Sequence, residues 1–197
     1  LKLMKNYGEF AREILTRFGD TQVDICVTKV IGWHVPEGVK PLLEHPKQRE
    51  TASEPDFYPE KPYVLVMERG STSLFHELQT QRLAGYDPEQ IKSIFTDAVE
   101  KVQVLHNLGL IHSDLKPRNF LRMDGTLMLC DMDAALEIGR ERAQDMKCST
   151  AYCPPELAQC IFAGGPTIKS IDATFDVWSL GVILYELCTG QHLFSQD

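Results

Sequence analysis

Residues 176–190, DVWSLGVILYELCTG, are apolar almost all round, and no other stretch limits the fold as tightly. A surface helix keeps one polar face, whereas a segment without one needs protein on every side, so a helix at the centre of a domain is predicted here. The apolar run 177–188 is too short to cross a bilayer and carries Glu186, so no membrane span is expected. A core able to surround such a helix is available. Hydrophobic residues make up 43% of the 197, enough for one ordinary domain or two small lobes.

The charge balance narrows the class of partner. The formal net charge is −8, and the 20 Lys and Arg residues are spread without runs, which argues against a nucleic-acid surface and favours a basic partner. Six cysteines form no CxxC pair and lie mostly in apolar segments, so neither a zinc site nor a disulfide framework is expected, and a reduced, cytoplasmic setting is. The first ten residues, LKLMKNYGEF, hold no signal-peptide apolar region and begin with Leu, which points to a fragment.

Periodicity organises the rest. Phe10, Ile14 and Phe18 share one face of a helix over 7–18, with Glu13 beside them. Residues 23–33 and 63–67 are rich in Val and Ile and are predicted as strands. Between them, residues 33–62 hold six of the eleven prolines and many charges, a composition expected to form a mobile loop. From Asp87, the predicted N-cap, with Pro88 at the first helical position, a helix runs to Gly109 and carries an apolar stripe of Ile91, Ile94, Phe95, Ala98, Val102 and Leu105. A turn and strand follow at 125–131, ending on an acid, and residues 132–150 are polar and irregular.

The long helix delivers the chain to LIHSDLKPRNFL (110–121), where His112, Asp114, Lys116 and Asn119 are crowded between two apolar ends. Asp114 and Asn119 could serve as turn formers. Their offset to Asp131 suits chemistry better, because Asp114, Asn119 and Asp131 together offer hard oxygens of the kind that Mg²⁺ takes. Phosphoryl transfer needs a carboxylate and an amide on the metal, a cation near the moving phosphate and a carboxylate facing the acceptor hydroxyl, and all four kinds of group are present.

These residues resemble the eukaryotic protein kinase family. HSDLKPRN (112–119) is similar to its catalytic loop, DMD (131–133) stands where the family has DFG, and PPE (154–156) stands for APE. DVWSLGVILYEL resembles the buried central helix, VLVMER (64–69) the hinge around adenine, and YGEFAREI (7–14) the regulatory helix. The resemblance covers nearly the whole chain in the family's order. It implies an α+β fold, bilobal and partial. Residues 1–67 would be the remnant of a small β-rich N-lobe carrying the 33–62 insertion, and residues 68–197 a mainly helical C-lobe, with the chain truncated at both ends.

The resemblance further implies a protein kinase that uses ATP and Mg²⁺ on protein substrates. Asp114 would accept the proton of the acceptor hydroxyl, Lys116 would neutralise the γ-phosphate, and Asn119 and Asp131 would hold Mg²⁺. Lys2 and its helix partner Glu13 would serve the α- and β-phosphates, with Lys5 as a competitor for that place, and Met67 and Glu68 would be gatekeeper and first hinge residue. Lys116 and Ser149 resemble the serine/threonine branch, and a tyrosine-kinase-like type within it is expected. His112 and Asp176 are expected to be structural, Asp176 as a helix N-cap that anchors the loop, and Cys130 a small packing residue. The chain departs from the family at Ser113, where Arg is usual, at Asp133, where Gly is usual, and in lacking a glycine-rich loop ahead of Lys2. Two rival functions follow. One is a catalytically impaired pseudokinase acting as an interaction module, and the other is a small-molecule phosphotransferase.

Overall fold

The computed structural model describes residues 1–18, 21–35, 63–80, 87–140, 148–162, 168 and 170–195. The proline-rich segment lies outside the described residues from 36 to 62.

The first unit is a three-stranded antiparallel sheet with a helix on it. Strand β1 (Lys2–Met4) leads to helix α1 (Tyr7–Phe18), followed by β2 (Val30–His34) and β3 (Tyr63–Met67), in sheet order β1-β3-β2. The register sets Lys2 opposite Leu65 and Met4 opposite Tyr63. Alternation along β3 sends Tyr63 and Leu65 inward against Met4, Phe10 and Ile14, with the Tyr63 ring stacked 4.9 Å from that of Phe10. Asn6 Oδ1 accepts from Glu9 N at 3.0 Å and so ties off the start of α1.

The strand predicted at 23–33 begins only at Val30. Ahead of it, Thr21–Ile25 form a 3₁₀ turn. Val23, Cys26 and Val27 recur at i, i+3 and i+4 and bury in the core of the second unit, which a strand's alternation would not allow.

The second unit is larger and mainly helical. It runs β4 (Thr72–Ser73), α2 (Leu74–Thr80), α3 (Pro88–Asn107), β5 (Leu110–Ile111), β6 (Phe120–Met123), β7 (Thr126–Leu129), β8 (Leu136–Glu137), α4 (Pro155–Phe162) and α5 (Thr174–Thr189). Helix α3 forms as its signals predict. Asp87 Oδ1 accepts from Gln90 N at 3.0 Å, Pro88 is the first helical residue, and Gly109 takes a left-handed φ of 75° just past the end. Ile91, Ile94, Ala98, Val102 and Leu105 are buried, with Phe95 packed partly covered beside them. Leu115, Phe120, Leu129 and Met132 from the following segments complete this core with Leu180 and Ile183 of α5.

Helix α5 departs from the expectation of burial all round. Phe175, Leu180, Val182, Ile183 and Leu187 are buried, but Val177, Trp178 and Tyr185 are exposed, and Phe194 stacks on Trp178 with ring centroids 6.4 Å apart. Its N-cap is Ala173 rather than Asp176. Asp172 instead ties off the helix start, accepting from Thr174 N at 2.8 Å and from the Thr174 hydroxyl. Among the described residues, no helix is long and apolar enough to cross a membrane.

Candidate active site

The segment 110–121 leaves β5 at Ile111 and is fixed from below by one buried carboxylate. Asp176 Oδ2 accepts from His112 N at 2.8 Å and lies 2.9 Å from His106 Nε2, while Oδ1 accepts from Ser113 N at 2.9 Å. Freed from N-capping, Asp176 sits in the first turn of α5 and reaches the loop. Both backbone donors are buried, so this carboxylate is what allows the loop to turn there. The turn takes Ser113 to a left-handed φ of 68°.

Asp114 is buried and its two oxygens are separately committed. Oδ2 accepts from Lys116 Nζ at 2.7 Å, and Oδ1 accepts from Ser149 N at 2.7 Å. Lys116 Nζ also donates to Ser149 Oγ at 2.8 Å. A carboxylate, an ammonium and a hydroxyl thus form one cluster between the loop and residues 148–152. The hydroxyl half of that cluster belongs to Ser149, which the sequence marks only as a branch indicator.

Asn119 ends the 3₁₀ turn Pro117–Asn119 and is buried. Its side-chain nitrogen donates to the Asp114 carbonyl at 2.9 Å, so its carbonyl oxygen is the atom left for a cation. Backbone pairing links it to the next acid, since Cys130 N donates to Asn119 O at 2.9 Å. His112 Nε2 lies 2.9 Å from Cys130 O, a structural contact that fits the expected role of that histidine. Asp131 takes a left-handed backbone, φ 64° and ψ 60°, as β7 gives way to the 3₁₀ turn Met132–Ala134.

Lys2 reaches from β1 to the same place. Its ammonium pairs with the carboxylates of Glu13 and Asp131, and Asp133 Oδ2 stands 3.5 Å away. Lys5 is exposed. Burial by itself would lower the Lys2 pKa, but Glu13, Asp131 and Asp133 together raise it above the ordinary lysine value. For Asp131, burial pushes upward and the Lys2 charge outweighs it, with His112 and Lys116 helping, so its carboxyl sits below the ordinary value. Glu13 is fully buried and also pairs with Arg17, one helical turn on, whose Nε donates to Thr28 O at 3.0 Å. Arg17 stands at i, i+4 from Glu13, the spacing that signals a helical ion pair in the sequence. Arg12 donates to the Asp133 carbonyl, which ties α1 directly to the 131–133 turn.

The model of the protein kinase domain family matches residues 50–197. The chain belongs to that family. It is 36% identical over 134 residues to a dual specificity protein kinase Ttk of Danio rerio, covering 66% of this chain and 13% of that one. It is 34% identical over 138 residues to the serine/threonine-protein kinase mph1 of Schizosaccharomyces pombe, covering 66% and 20%. A serine/threonine-protein kinase STK11 of Gallus gallus is 34% identical over 114 residues, covering 55% and 24%. The chain therefore spans about a quarter or less of the length of these relatives. Its small antiparallel sheet with one helix and its larger helical unit make up a partial bilobal kinase fold.

Within this kinase domain, the Asp at position 133 is accommodated. Glycine tolerates left-handed φ, but the only non-glycine residues with positive φ among those described are Ser113, Asp124 and Asp131. Asp133 lies buried in the 3₁₀ turn, on a backbone that does not need glycine. Met67 ends β3 partly covered, its sulfur 3.9 Å from an Arg17 nitrogen, and Glu68 N donates to Lys29 O at 3.0 Å beyond it. The family in general uses ATP and Mg²⁺. The donor set suits that metal, since the Asn119 carbonyl oxygen and the Asp131 carboxylate are hard oxygens on adjoining backbone.

Proposed function

We propose that this chain is the phosphotransfer part of an ATP- and Mg²⁺-dependent protein kinase acting on Ser and Thr hydroxyls, of tyrosine-kinase-like type and in the cytoplasm. The observation that carries this is the Asp114–Lys116–Ser149 cluster, in which a buried carboxylate and an ammonium 2.7 Å apart open onto one side of the loop. Residues 1–67 act as the N-lobe part and residues 68–197 as the C-lobe part.

Asp114, held by Ser149 N, orients the acceptor hydroxyl and takes its proton. Lys116 supplies positive charge beside it, where a transferring phosphoryl group carries negative charge. Asn119 and Asp131 would hold Mg²⁺, which when bound neutralises phosphate charge. Lys2, kept in place by Glu13, holds the α- and β-phosphates, and Arg17 pairs with Glu13 from one helical turn on and holds its carboxylate in position. Met67 and Glu68 border the adenine side. Retention of Asp114, Lys116, Asn119 and Asp131 in one cluster, with Asp133 unstrained, supports turnover over an impaired interaction module.

The test is transfer of labelled γ-phosphate by the full-length protein to a mixed protein substrate, followed by phosphoamino-acid analysis. Label on serine and threonine is expected. Label found only on a small alcohol or sugar, or no transfer by folded protein, overturns the proposal.

A further inference from the structure

Lys116, Pro117 and Arg118 line a cavity of about 410 Å³, whose other described walls are Phe75 and residues 148–152. Two cations face it, and they are in different states. The Lys116 ammonium is already shared between Asp114 and Ser149. Arg118 is exposed, and its guanidinium carbon lies 3.6 Å from the centroid of the Phe75 ring. That stack uses the flat face of the guanidinium and none of its N–H groups. Among the described residues no acceptor takes them, so the cavity wall presents an ordered but uncommitted fork of donors. The described lining includes no carboxylate to neutralise it.

The local charge therefore opposes the global one. A net charge of −8 suggests a basic partner, yet the wall next to Asp114 is cationic. Lys116 and Ser149 belong both to this cavity and to the surroundings of Asp114, so the cavity adjoins the place where an acceptor hydroxyl would meet Asp114. We propose that Arg118, held flat on Phe75, recognises an aspartate or glutamate of the acceptor peptide close in sequence to the phosphorylated residue. This rests on the kinase function proposed above and names its substrate class. Arg suits the role because its planar fork meets a carboxylate through two parallel N–H bonds, and because the stack limits the side-chain freedom lost on binding.

The test uses the full-length protein and fluorescent serine peptides that differ only in carrying Asp, Ala or Lys at the flanking positions, with binding read by anisotropy. The Asp peptide is expected to bind about fivefold more tightly than the Ala peptide, the scale of one exposed ion pair, and the Lys peptide more weakly than both. Arg118→Glu should abolish or reverse that order, while Arg118→Lys, which keeps the charge and loses the fork, should retain only part of it. An unchanged affinity for a fluorescent ATP analogue shows that each variant is folded. Equal binding of the Asp and Lys peptides, or a preference untouched by Arg118→Glu, overturns the proposal. Incubating the same peptides with ATP and Mg²⁺ separates the two ideas. An acidic preference without phosphorylation would leave Arg118 recognition standing and refute the kinase function.

Discussion

Replacing Asp176 by Ala should loosen the loop that carries Asp114 more than any other single change outside it. The carboxylate accepts two buried backbone N–H groups, of His112 at 2.8 Å and Ser113 at 2.9 Å, and also meets His106 at 2.9 Å. Leaving a buried donor without an acceptor costs about 1–3 kcal/mol, and bonds to a charged acceptor lie toward the upper end. Two such donors, at about 1.5–3 kcal/mol each, give about 3–6 kcal/mol. The His106 ring, largely buried, loses its 2.9 Å partner as well, which adds to this cost. At ~1.4 kcal/mol per factor of ten, this predicts roughly a hundredfold or greater loss of amide protection at residues 112 and 113. Hydrogen exchange of the full-length protein, read on peptides spanning 110–121, measures it, with thermal unfolding alongside. Protection within about twofold of wild type at both amides would show that the loop is held by something other than this carboxylate.

Three further measurements are informative. Asp133→Gly should lower stability by about 1 kcal/mol in thermal unfolding, since it removes the 3.5 Å contact to Lys2 and frees a backbone that does not need glycine; a gain would contradict the description of that turn. Cys130 should react with iodoacetamide at pH 8 far more slowly than exposed Cys188, because burial, with Asp131 and Glu13 adding to it, pushes its thiol up to about 12; equal labelling by mass spectrometry would refute this. Asp172→Ala should cost about 0.5 kcal/mol at pH 7, the low end for an exposed cap. The bonds from Thr174 lower the Asp172 pKa, so its stabilisation is present above the unfolded value near 3.8 and is lost as the pH falls through the folded value; the difference from wild type should shrink steadily as the pH is lowered below 3.8.

Much of this was legible where one local signal decided the outcome. Helix α3 carries its own cap, its proline start and its glycine end, and a buried stripe at helical spacing leaves no other way to fold it. The loop residues were legible because phosphoryl transfer needs few kinds of group, and Asp114, Lys116, Asn119 and Asp131 supply them in order. What stayed hidden depends on partners distant in sequence. Asp176 has the look of an N-cap until the loop it anchors, more than sixty residues earlier, is in place. Val23, Cys26 and Val27 suggest a strand by composition and a turn by spacing, and the second core decides between them. Asp133 looks costly beside a motif that usually has Gly, but the cost depends on φ, which composition does not reveal. Apolar character all round α5 predicted full burial, yet one side of it is covered and Val177, Trp178 and Tyr185 are not.

The most direct test of the whole account is steady-state kinetics of Asp114→Asn in the full-length protein. Asparagine keeps the shape and can still accept from Ser149 N, but it cannot take a proton, so kcat should fall by about 10²–10⁴-fold while nucleotide affinity stays near wild type. Turnover within a few-fold of wild type would contradict the account, because the acceptor would then be activated by some group other than Asp114.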